Sequence, residues 1–329
     1  MRRIETGLDN LLDELRVCLG SWSMEESELS LISRSENIVY KVESPSGENY
    51  ALRVHRSGYH ERKVLVSEQK WVHSLACSGF RVPRFVIADQ GNFYVQVNIG
   101  GDEVNLSLVE WLDGKSLLEI ESGGVTSEFL VSALRQVGKT MALFHGHTAS
   151  WNPGPEFVRH RLDVKGFFGE SPFWGRYWES PYLTKKQSDL LVASHPFLSS
   201  EMESLGTGRD AFGLIHADMH HGNIFFDNCN DMHIIDFDDA CFGWYLYDIA
   251  AALYEYKEHL AFDVISDAFL QGYREARPFS DCCWAMVPMF MHVRARAIIG
   301  WATDRPELEN GDVVRALIES VCQEAEQYL

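Results

Sequence analysis

Two short stretches in the second half of the chain carry side chains that suit metal-assisted proton transfer. The pattern H-x-D-x-x-x-x-N runs from His216 to Asn223, and Asp236 ends a short apolar run soon afterwards. Carboxylate and amide oxygens are hard ligands of the kind that magnesium prefers, so Asn223 and Asp236 are candidate metal ligands. Asp218 is then available as a base that takes a proton from an attacking hydroxyl group.

A β-hairpin is predicted to bring these three side chains together. Residues 224–235 contain two short apolar runs on either side of the polar turn sequence Asp-Asn-Cys-Asn-Asp. Such a pattern is typical of two antiparallel strands and their turn. The loop before the hairpin and the loop after it then lie at the same end. We therefore expect Asp218, Asn223 and Asp236 to share one small volume.

The two motifs resemble the catalytic loop and the metal loop of kinases, which read H-R-D-x-x-x-x-N and D-F-G. Here Ala217 replaces the Arg and Asp238 replaces the Gly. A loop of this form followed by I-D-F-D is similar to the aminoglycoside phosphotransferase family, which includes choline kinase-like and homoserine kinase-like enzymes. The resemblance covers nearly all of the chain from Leu29 onward.

This resemblance implies a two-lobed, protein-kinase-like α+β fold. A small N-terminal lobe, residues 1–112, would hold an antiparallel sheet plus one key helix, and residues 113–329 would form a larger, mainly helical lobe. The resemblance implies ATP and Mg²⁺ as cofactors. The γ-phosphate would move to a hydroxyl group of a small molecule or of a protein Ser or Thr.

The first part of the chain is predicted to contain about five antiparallel strands and a helix over His60–Cys77, ended by Ser78-Gly79. The strand-like stretches are 29–32, 38–42, 50–54, 85–88, 93–97 and 104–111. Helical periodicity places Glu68 near the middle of the apolar arc, where a carboxylate is costly unless it is paired. Arg53 on the strand 50–54 is its natural partner. Alternatively, Glu68 lies at the rim of the arc and Arg53 is an exposed cation on an edge strand.

The resemblance assigns nucleotide contacts to this first part. Arg53 takes the place of the strand lysine of kinases, with Ala51 on the same strand face, and would grip phosphates while Glu68 holds it. Ser35 lies in the polar segment 33–37, where kinases have a glycine-rich loop, although this segment also fits a plain hairpin turn. Adenine would bond the backbone near Glu110 to Leu112 in a hinge over residues 108–114, which otherwise reads as an ordinary strand end.

The second part is predicted to be mainly helical. Thr126 is a candidate cap of a helix that reaches His145, and His145 and His147 read as helix-end residues. Asp248 is placed to cap the next helix, and in the resembling family the equivalent aspartate also braces the catalytic loop. Two features stay open. The aromatic-rich segment 151–181 forms either a substrate-side lid or wall or part of the core. Arg294 and Arg296 either make an internal salt bridge or bind an anionic part of the substrate.

The composition of the chain limits its possible partners and its location in the cell. The 329 residues carry a net charge of −19, so the surface repels nucleic-acid backbones. The seven cysteines are an odd number without a C-x-x-C pair, which indicates reduced thiols and a cytoplasmic protein. The start of the chain leads into no apolar signal segment, and the longest apolar run, near residues 282–293, is expected to be too short to span a membrane.

Two alternatives to an active kinase are open at this point. A pseudokinase, which binds nucleotide without turnover, would fit the Arg at the Lys position and the missing glycine-rich loop. A metal-dependent hydrolase would use His216, His220, His221 and Asp218 as ligands of a transition metal. The identity of the phosphate acceptor, the choice between ATP and GTP and the oligomeric state cannot be read from the sequence.

Overall fold

The computed structural model describes residues 8–34, 37–306 and 310–329. Ser35, predicted to contact phosphate, lies outside the described residues. Contacts divide the chain into two compact units. The sheet unit comprises residues up to 115, 153–158 and 225–238, and the helical unit comprises 116–152, 159–224 and 239–329. That the boundary near residue 112 separates a nucleotide lobe from a catalytic lobe stays a prediction.

The sheet unit is built around an antiparallel sheet. Its elements are α1 (Leu8–Leu19), β1 (Glu28–Arg34), β2 (Ile38–Glu43), β3 (Asn49–Val54), α2 (Arg62–Cys77), β4 (Tyr94–Ile99) and β5 (Asp102–Glu110). The strand order is β1-β2-β3-β5-β4, and every neighbouring pair is antiparallel. Leu52, Leu106 and Leu108 point into a core that α1 covers with Leu15 and Leu19. The alternation of apolar residues seen in the sequence therefore corresponds to one buried sheet face.

Two details of this region differ from the sequence-based prediction. Residues 85–88 do not form a strand, since only Phe85 makes a bridge, to Val109. The Val86 N–H still donates to the Leu108 carbonyl, but Ala88 already bonds to its own turn, donating to the Asn92 carbonyl and accepting from the Gly91 N–H, each at 2.8 Å. The helix α2 begins at Arg62 rather than at His60.

Most of the predicted hairpin also belongs to the sheet unit. It consists of β9 (Ile224–Phe226) and β10 (Met232–Ile234), which are neighbours in one sheet. The Asp227 carboxylate accepts from the backbone N–H groups of Cys229 and Asp231, at 2.8 and 2.9 Å, and so shapes the turn. The Ile234 N–H donates to the Arg81 carbonyl at 3.1 Å, which fixes β10 to the chain that follows α2.

The helical unit contains the other elements. They are α3 (Leu117–Ser122), α4 (Ser127–Ser150), β7 (Arg161–Leu162), α5 (Val164–Phe168), α6 (Lys185–Ala193), α7 (His195–Ser204), β8 (Phe212–Ile215), β11 (Cys241–Trp244), α8 (Tyr245–Tyr254), α9 (Phe262–Ala276), α10 (Asp281–Trp284), α11 (Val287–Thr303) and α12 (Gly311–Ala325). A two-residue strand, β6 (Lys115–Ser116), precedes α3. The strand β11 pairs in parallel with β7 and antiparallel with β8.

The long helix α4 is capped as predicted and packs very closely on α9. The Thr126 hydroxyl accepts from the Phe129 N–H at 3.3 Å. A Cβ on Gly138 would lie 2.1 Å from the Phe269 carbonyl oxygen, and one on Gly272 would lie 1.9 Å from that of Arg135. Each glycine therefore allows the backbone of the other helix to approach, and an alanine at either position would push the helices apart.

The apolar helix α11 is more extended than the sequence suggested. Together with α10 it makes up the stretch Asp281–Thr303, which by length and composition alone could cross a membrane. The expectation that the apolar run here is too short was therefore wrong. Pro288 lies in the first turn of α11 and does not break it. Within the 18-residue window, 56% is buried inside the protein, as in a core helix. In the aromatic segment, Phe167, Trp174 and Tyr177 are buried, which favours the core-packing interpretation for these three.

Candidate active site

The loop that carries Asp218 follows β8 and is braced from within the helical unit. Asp248 is fully buried, and its two carboxylate oxygens accept from the backbone N–H groups of His216 and Ala217, at 3.0 and 2.7 Å. Asp248 does not cap α8, as the local sequence suggested, because Trp244 occupies the N-cap position and Asp248 lies in the first turn. It does brace the loop, as the family resemblance implied.

His145 supports this brace. Its Nε2 contacts the Asp248 carboxylate at 3.1 Å and its Nδ1 contacts the Tyr273 hydroxyl at 2.7 Å. It lies within α4, which continues to Ser150, so its interpretation as a helix-end residue was wrong. Burial lowers the pKa of His145. A neutral imidazole therefore extends the brace from α8 to α4 and α9.

Asp218 is held by three neighbours. Asn223 donates from Nδ2 to the Asp218 backbone carbonyl at 2.9 Å and to Oδ2 at 3.3 Å. His220 Nε2 lies 3.5 Å from Oδ2, and Arg294 donates from Nη2 to Oδ1. Burial raises the pKa of Asp218, but the positive charges of Arg294 and His220 outweigh this and hold it well below its usual range. Asp218 is thus an ionised carboxylate, as a proton acceptor must be.

The histidines of this loop do not assemble into a transition-metal site. Within residues 8–34, 37–306 and 310–329, no group of three or more His, Cys, Asp or Glu side chains could hold a metal ion. His216 Nδ1 accepts from the Asp218 N–H at 3.3 Å, and His221 Nδ1 contacts Glu121 at 2.9 Å. The hydrolase alternative, which needs these side chains to converge, is therefore not supported.

The predicted Arg53–Glu68 ion pair is present in the sheet unit. Arg53 Nη1 donates to Glu68 Oε1 at 2.7 Å, and the two side chains are 11% and 1% exposed. Glu68 is therefore not at the rim of α2, and Arg53 is not a solvated cation on an edge strand. Burial alone would lower the pKa of Arg53. The negative charges of Glu68, Asp238 and Asp236 outweigh burial and hold this pKa above the ordinary range of arginine.

The same guanidinium reaches the loop that follows β10. Arg53 Nη2 lies 3.5 Å from the Asp236 carboxylate and 3.4 Å from that of Asp238. Between them in sequence, Phe237 packs edge-on against Trp71 of α2, with ring centroids 5.5 Å apart. The helix α2 thus supplies both the carboxylate that holds Arg53 and the ring that anchors the Asp236 loop.

Asp238 also contacts Arg53, which the sequence did not lead us to expect. It is 3% exposed, and besides Arg53 it lies 3.8 Å from His55 Nδ1 and 3.9 Å from His60 Nε2. Burial and the nearby Arg53 charge lower the pKa of His55 to about 3, so this imidazole is neutral. The second acid of I-D-F-D was the available signal, since a buried carboxylate needs a cationic partner.

The other predicted nucleotide contacts lie at the end of the sheet. Ala51 is half-buried on β3 and is opposite Val109 of β5. The Glu110 N–H donates to the Arg84 carbonyl at 2.8 Å, and the Trp111 N–H to the Asn49 carbonyl at 3.2 Å. Leu112 follows and is half-buried. Of the three backbone amides from Glu110 to Leu112, two are therefore already hydrogen-bonded within the protein.

Comparison with known proteins places this chain in a family. The sequence model of the phosphotransferase enzyme family, APH, matches residues 28–279, which is 252 of the 329 residues. An amicoumacin kinase of Bacillus subtilis is 24% identical over 291 residues, which are 85% of this chain and 81% of that protein. A homoserine kinase of Polaromonas naphthalenivorans is 24% identical over 255 residues, 74% of this chain and 71% of that protein.

Solved structures of kinases are also similar to this chain. A microcompartment-associated aminopropanol kinase has a TM-score of 0.85 at 26% identity, covering 96% of this chain and 97% of that chain. The amicoumacin kinase hAmiN, in complex with AMP-PNP, Ca²⁺ and Ami, has a TM-score of 0.79 at 20% identity, covering 94% and 92%. This second likeness concerns the fold alone.

The chain is thus a kinase with the protein-kinase-like α+β fold that the sequence predicted. It belongs to the phosphotransferase enzyme family, whose members transfer phosphate to a hydroxyl group of a small molecule. Family membership favours an enzyme over the pseudokinase alternative.

Proposed function

We propose that the protein transfers the γ-phosphate of ATP to a hydroxyl group of a small molecule, with Mg²⁺ as the metal ion. The observation that carries this proposal is the Arg53 guanidinium, held by buried Glu68 at 2.7 Å and in contact with Asp236 at 3.5 Å. A fixed cation beside a candidate metal ligand is the arrangement that phosphoryl transfer needs, since the reaction depends on positioning and charge neutralisation.

The donor set fits a divalent cation. Around Arg53, one positive charge faces the three carboxylates of Glu68, Asp236 and Asp238, so the cluster has an excess of negative charge. Asp236 is the most exposed of the three, at 41% of its side chain. Asn223 uses Nδ2 toward Asp218, which leaves its amide oxygen for a cation. Asn223 and Asp236 would hold Mg²⁺, which neutralises phosphate charge when bound.

The protein's own residues have separate roles in this proposal. Asp218 orients the acceptor hydroxyl and takes its proton as the new oxygen–phosphorus bond forms. Arg53 binds the nucleotide phosphates, and Glu68 keeps Arg53 in place. Ala51, on the same strand as Arg53, contacts the nucleotide. Because the amides of Glu110 and Trp111 are engaged, the adenine contact at Glu110 uses its carbonyl oxygen, and the N–H contact comes from Leu112.

The acceptor we propose is a small alcohol that also carries an amino group. Two of the similar proteins are named for aminopropanol and homoserine, which have both groups. A net charge of −19 attracts cationic molecules, which supports the same class. All seven cysteines lie in the described part of the chain and none is in a disulfide, which supports a cytoplasmic location.

The test has two stages. Thermal unfolding and calorimetry with ATP, GTP and ADP, each with Mg²⁺ or with EDTA, should show a Mg²⁺-dependent rise in the melting temperature, because a ligand of the native state stabilises it by mass action. An acceptor screen of 1-amino-2-propanol, ethanolamine, choline and homoserine, with 1,2-propanediol and glycerol as uncharged alcohols and ADP release as readout, then tests the substrate class. Absence of any Mg-nucleotide binding at saturating concentrations would contradict the proposal. Turnover only with uncharged alcohols would contradict the amino group.

A further inference from the structure

The peptide unit before Asp218 has an unusual conformation. Ala217 has a φ of 68°, in the left-handed region that costs a residue with a Cβ about 1–2 kcal/mol. Its N–H donates to Asp248 of α8 at 2.7 Å, and its carbonyl accepts from Arg294 Nη1 of α11 at 3.4 Å. Such a conformation persists only when its surroundings over-determine it. Here two helices hold the residue from its two ends.

The Arg294 guanidinium also contacts Asp218 itself. Nη2 donates to Asp218 Oδ1, and Nη1 lies 3.4 Å from the hydroxyl oxygen of Tyr247 on α8. The Arg294 side chain is only 11% exposed, so water competes little for these contacts. One planar group thus joins the backbone of the loop, its carboxylate and a neighbouring helix. A lysine at this position has a single nitrogen and could not make all three contacts together.

The two oxygens of Asp218 are consequently unequal. Oδ1 carries the contact with the guanidinium, whereas the contacts of Oδ2 in the described part of the chain are the longer ones with Asn223 and His220, at 3.3 and 3.5 Å. Because the close contact with the guanidinium occupies Oδ1, Oδ2 is the oxygen that a hydroxyl group can approach more readily.

We propose that Arg294 is a positioning residue for phosphate transfer, which fixes the Ala217 peptide and turns Oδ2 of Asp218 toward the acceptor hydroxyl. The inference rests on the proposed role of Asp218. In the step, the acceptor O–H bond breaks and its proton passes to Oδ2. The acceptor oxygen bonds to the γ-phosphorus, and the bond from that phosphorus to the bridging oxygen breaks, so that ADP leaves with the electron pair.

A purely structural arginine is available on the same helix as a matched control. Arg296 is 1% exposed and donates to the Tyr177 hydroxyl at 3.0 Å, the Leu191 carbonyl at 3.1 Å and the Ser194 hydroxyl at 2.7 Å. These contacts join α11 to α6 and α7 and do not involve the loop 216–223. Replacing Arg296 therefore removes a buried arginine without touching the Ala217 peptide.

The experiment compares Arg294→Met, Arg294→Lys and Arg296→Met with the wild type. ADP release from Mg-ATP is measured with water and with 1-amino-2-propanol as acceptors, and the affinity for Mg-ATP is measured by calorimetry. We expect Arg294→Met to lower kcat about 10²-fold, the order of effect of a misplaced reacting group, with unchanged Mg-ATP affinity. Arg294→Lys should restore part of kcat. Arg296→Met should lower the melting temperature and leave kcat unchanged.

Hydrogen exchange of the amides in residues 214–223 provides a readout that needs no turnover. Arg294→Met should exchange faster there than the wild type, and Arg296→Met should not. Equal exchange in all three proteins, or an unchanged kcat in Arg294→Met, would overturn the positioning role. If the wild type binds no Mg-nucleotide, the proposed function fails, while the exchange comparison still decides whether Arg294 holds the loop.

Discussion

Removing one partner of the Arg53–Glu68 pair should have unequal effects depending on which partner is removed. Coulomb's law at an effective dielectric constant of about 20 gives about 6 kcal/mol for unit charges 2.7 Å apart, the Arg53–Glu68 distance. It gives about 5 kcal/mol at each of the 3.4 and 3.5 Å contacts of Arg53 with Asp238 and Asp236. Arg53 thus keeps most of its attraction without Glu68, whereas Glu68 loses its cation without Arg53.

These gross energies are offset by desolvation, so measured costs are smaller. Arg53→Met removes the cation that buried Glu68 contacts at 2.7 Å and should lower the free energy of unfolding by about 3–5 kcal/mol. Glu68→Gln removes one of the three carboxylates around Arg53 and should cost about 1–3 kcal/mol. The double variant should cost less than the sum, because the two side chains are in direct contact. Mg-ATP affinity should fall in each single variant, and the double variant should be little worse than either.

Urea unfolding of the wild type, the two single variants and the double variant gives the free energies of a double-mutant cycle. Calorimetry gives the Mg-ATP affinity of each protein. The exposed pair Arg135–Glu275, with side chains 56% and 32% exposed, is the control, and its cycle should show a coupling of about 0–1 kcal/mol. Strictly additive losses at Arg53 and Glu68, or a Glu68→Gln variant less stable than Arg53→Met, would refute this account of the cluster.

Two further predictions concern the catalytic carboxylates and the dependence of stability on pH. Asp218→Asn should keep Mg-ATP affinity while phosphate transfer falls about 10²–10⁴-fold, whereas Asp236→Asn should also weaken Mg²⁺-dependent binding; unchanged transfer in Asp218→Asn would show that it is not the base. A hydrogen bond with His292 and contact with Lys257 lower the pKa of Glu324 to about 2 from an ordinary 4.5, so its stabilisation is present above pH 4.5 and is lost as the pH falls toward 2. Glu324→Gln should therefore lower the melting temperature at pH 7 and make it fall less between pH 4.5 and 2, and an equal loss at pH 7 and pH 2 would contradict this.

Local patterns in the sequence were enough for some of these features. The period of α2 placed Glu68 on the buried side, and the alternation in β3 placed Arg53 opposite to the core-facing Leu52. Both patterns are set by which face of an element is buried, and a buried carboxylate then needs a cation. The ion pair was therefore predictable from the spacing of apolar residues in two elements.

Other features depend on partners that are distant in sequence. Asp248 reads locally as a helix cap, but its acceptor capacity is used by the N–H groups of His216 and Ala217, more than thirty residues earlier. Arg294 lies in an apolar helix, and nothing near it in sequence indicates a contact with Asp218. No periodic pattern encodes such pairs, because they arise from how separate elements pack.

The composition of the sheet unit has a consequence for synthesis of the protein. Arg53, Glu68 and Trp71 are made early, but their partners Asp236 and Phe237 belong to the stretch 225–238. At ribosomal rates of about 5–20 residues per second, the 123 residues between positions 115 and 238 take about 6–25 s. During that time the nascent sheet unit exposes the Trp71 surface that Phe237 later covers. A fragment that ends at residue 115 would keep it exposed permanently, so the sheet unit should not be expressed alone without residues 225–238.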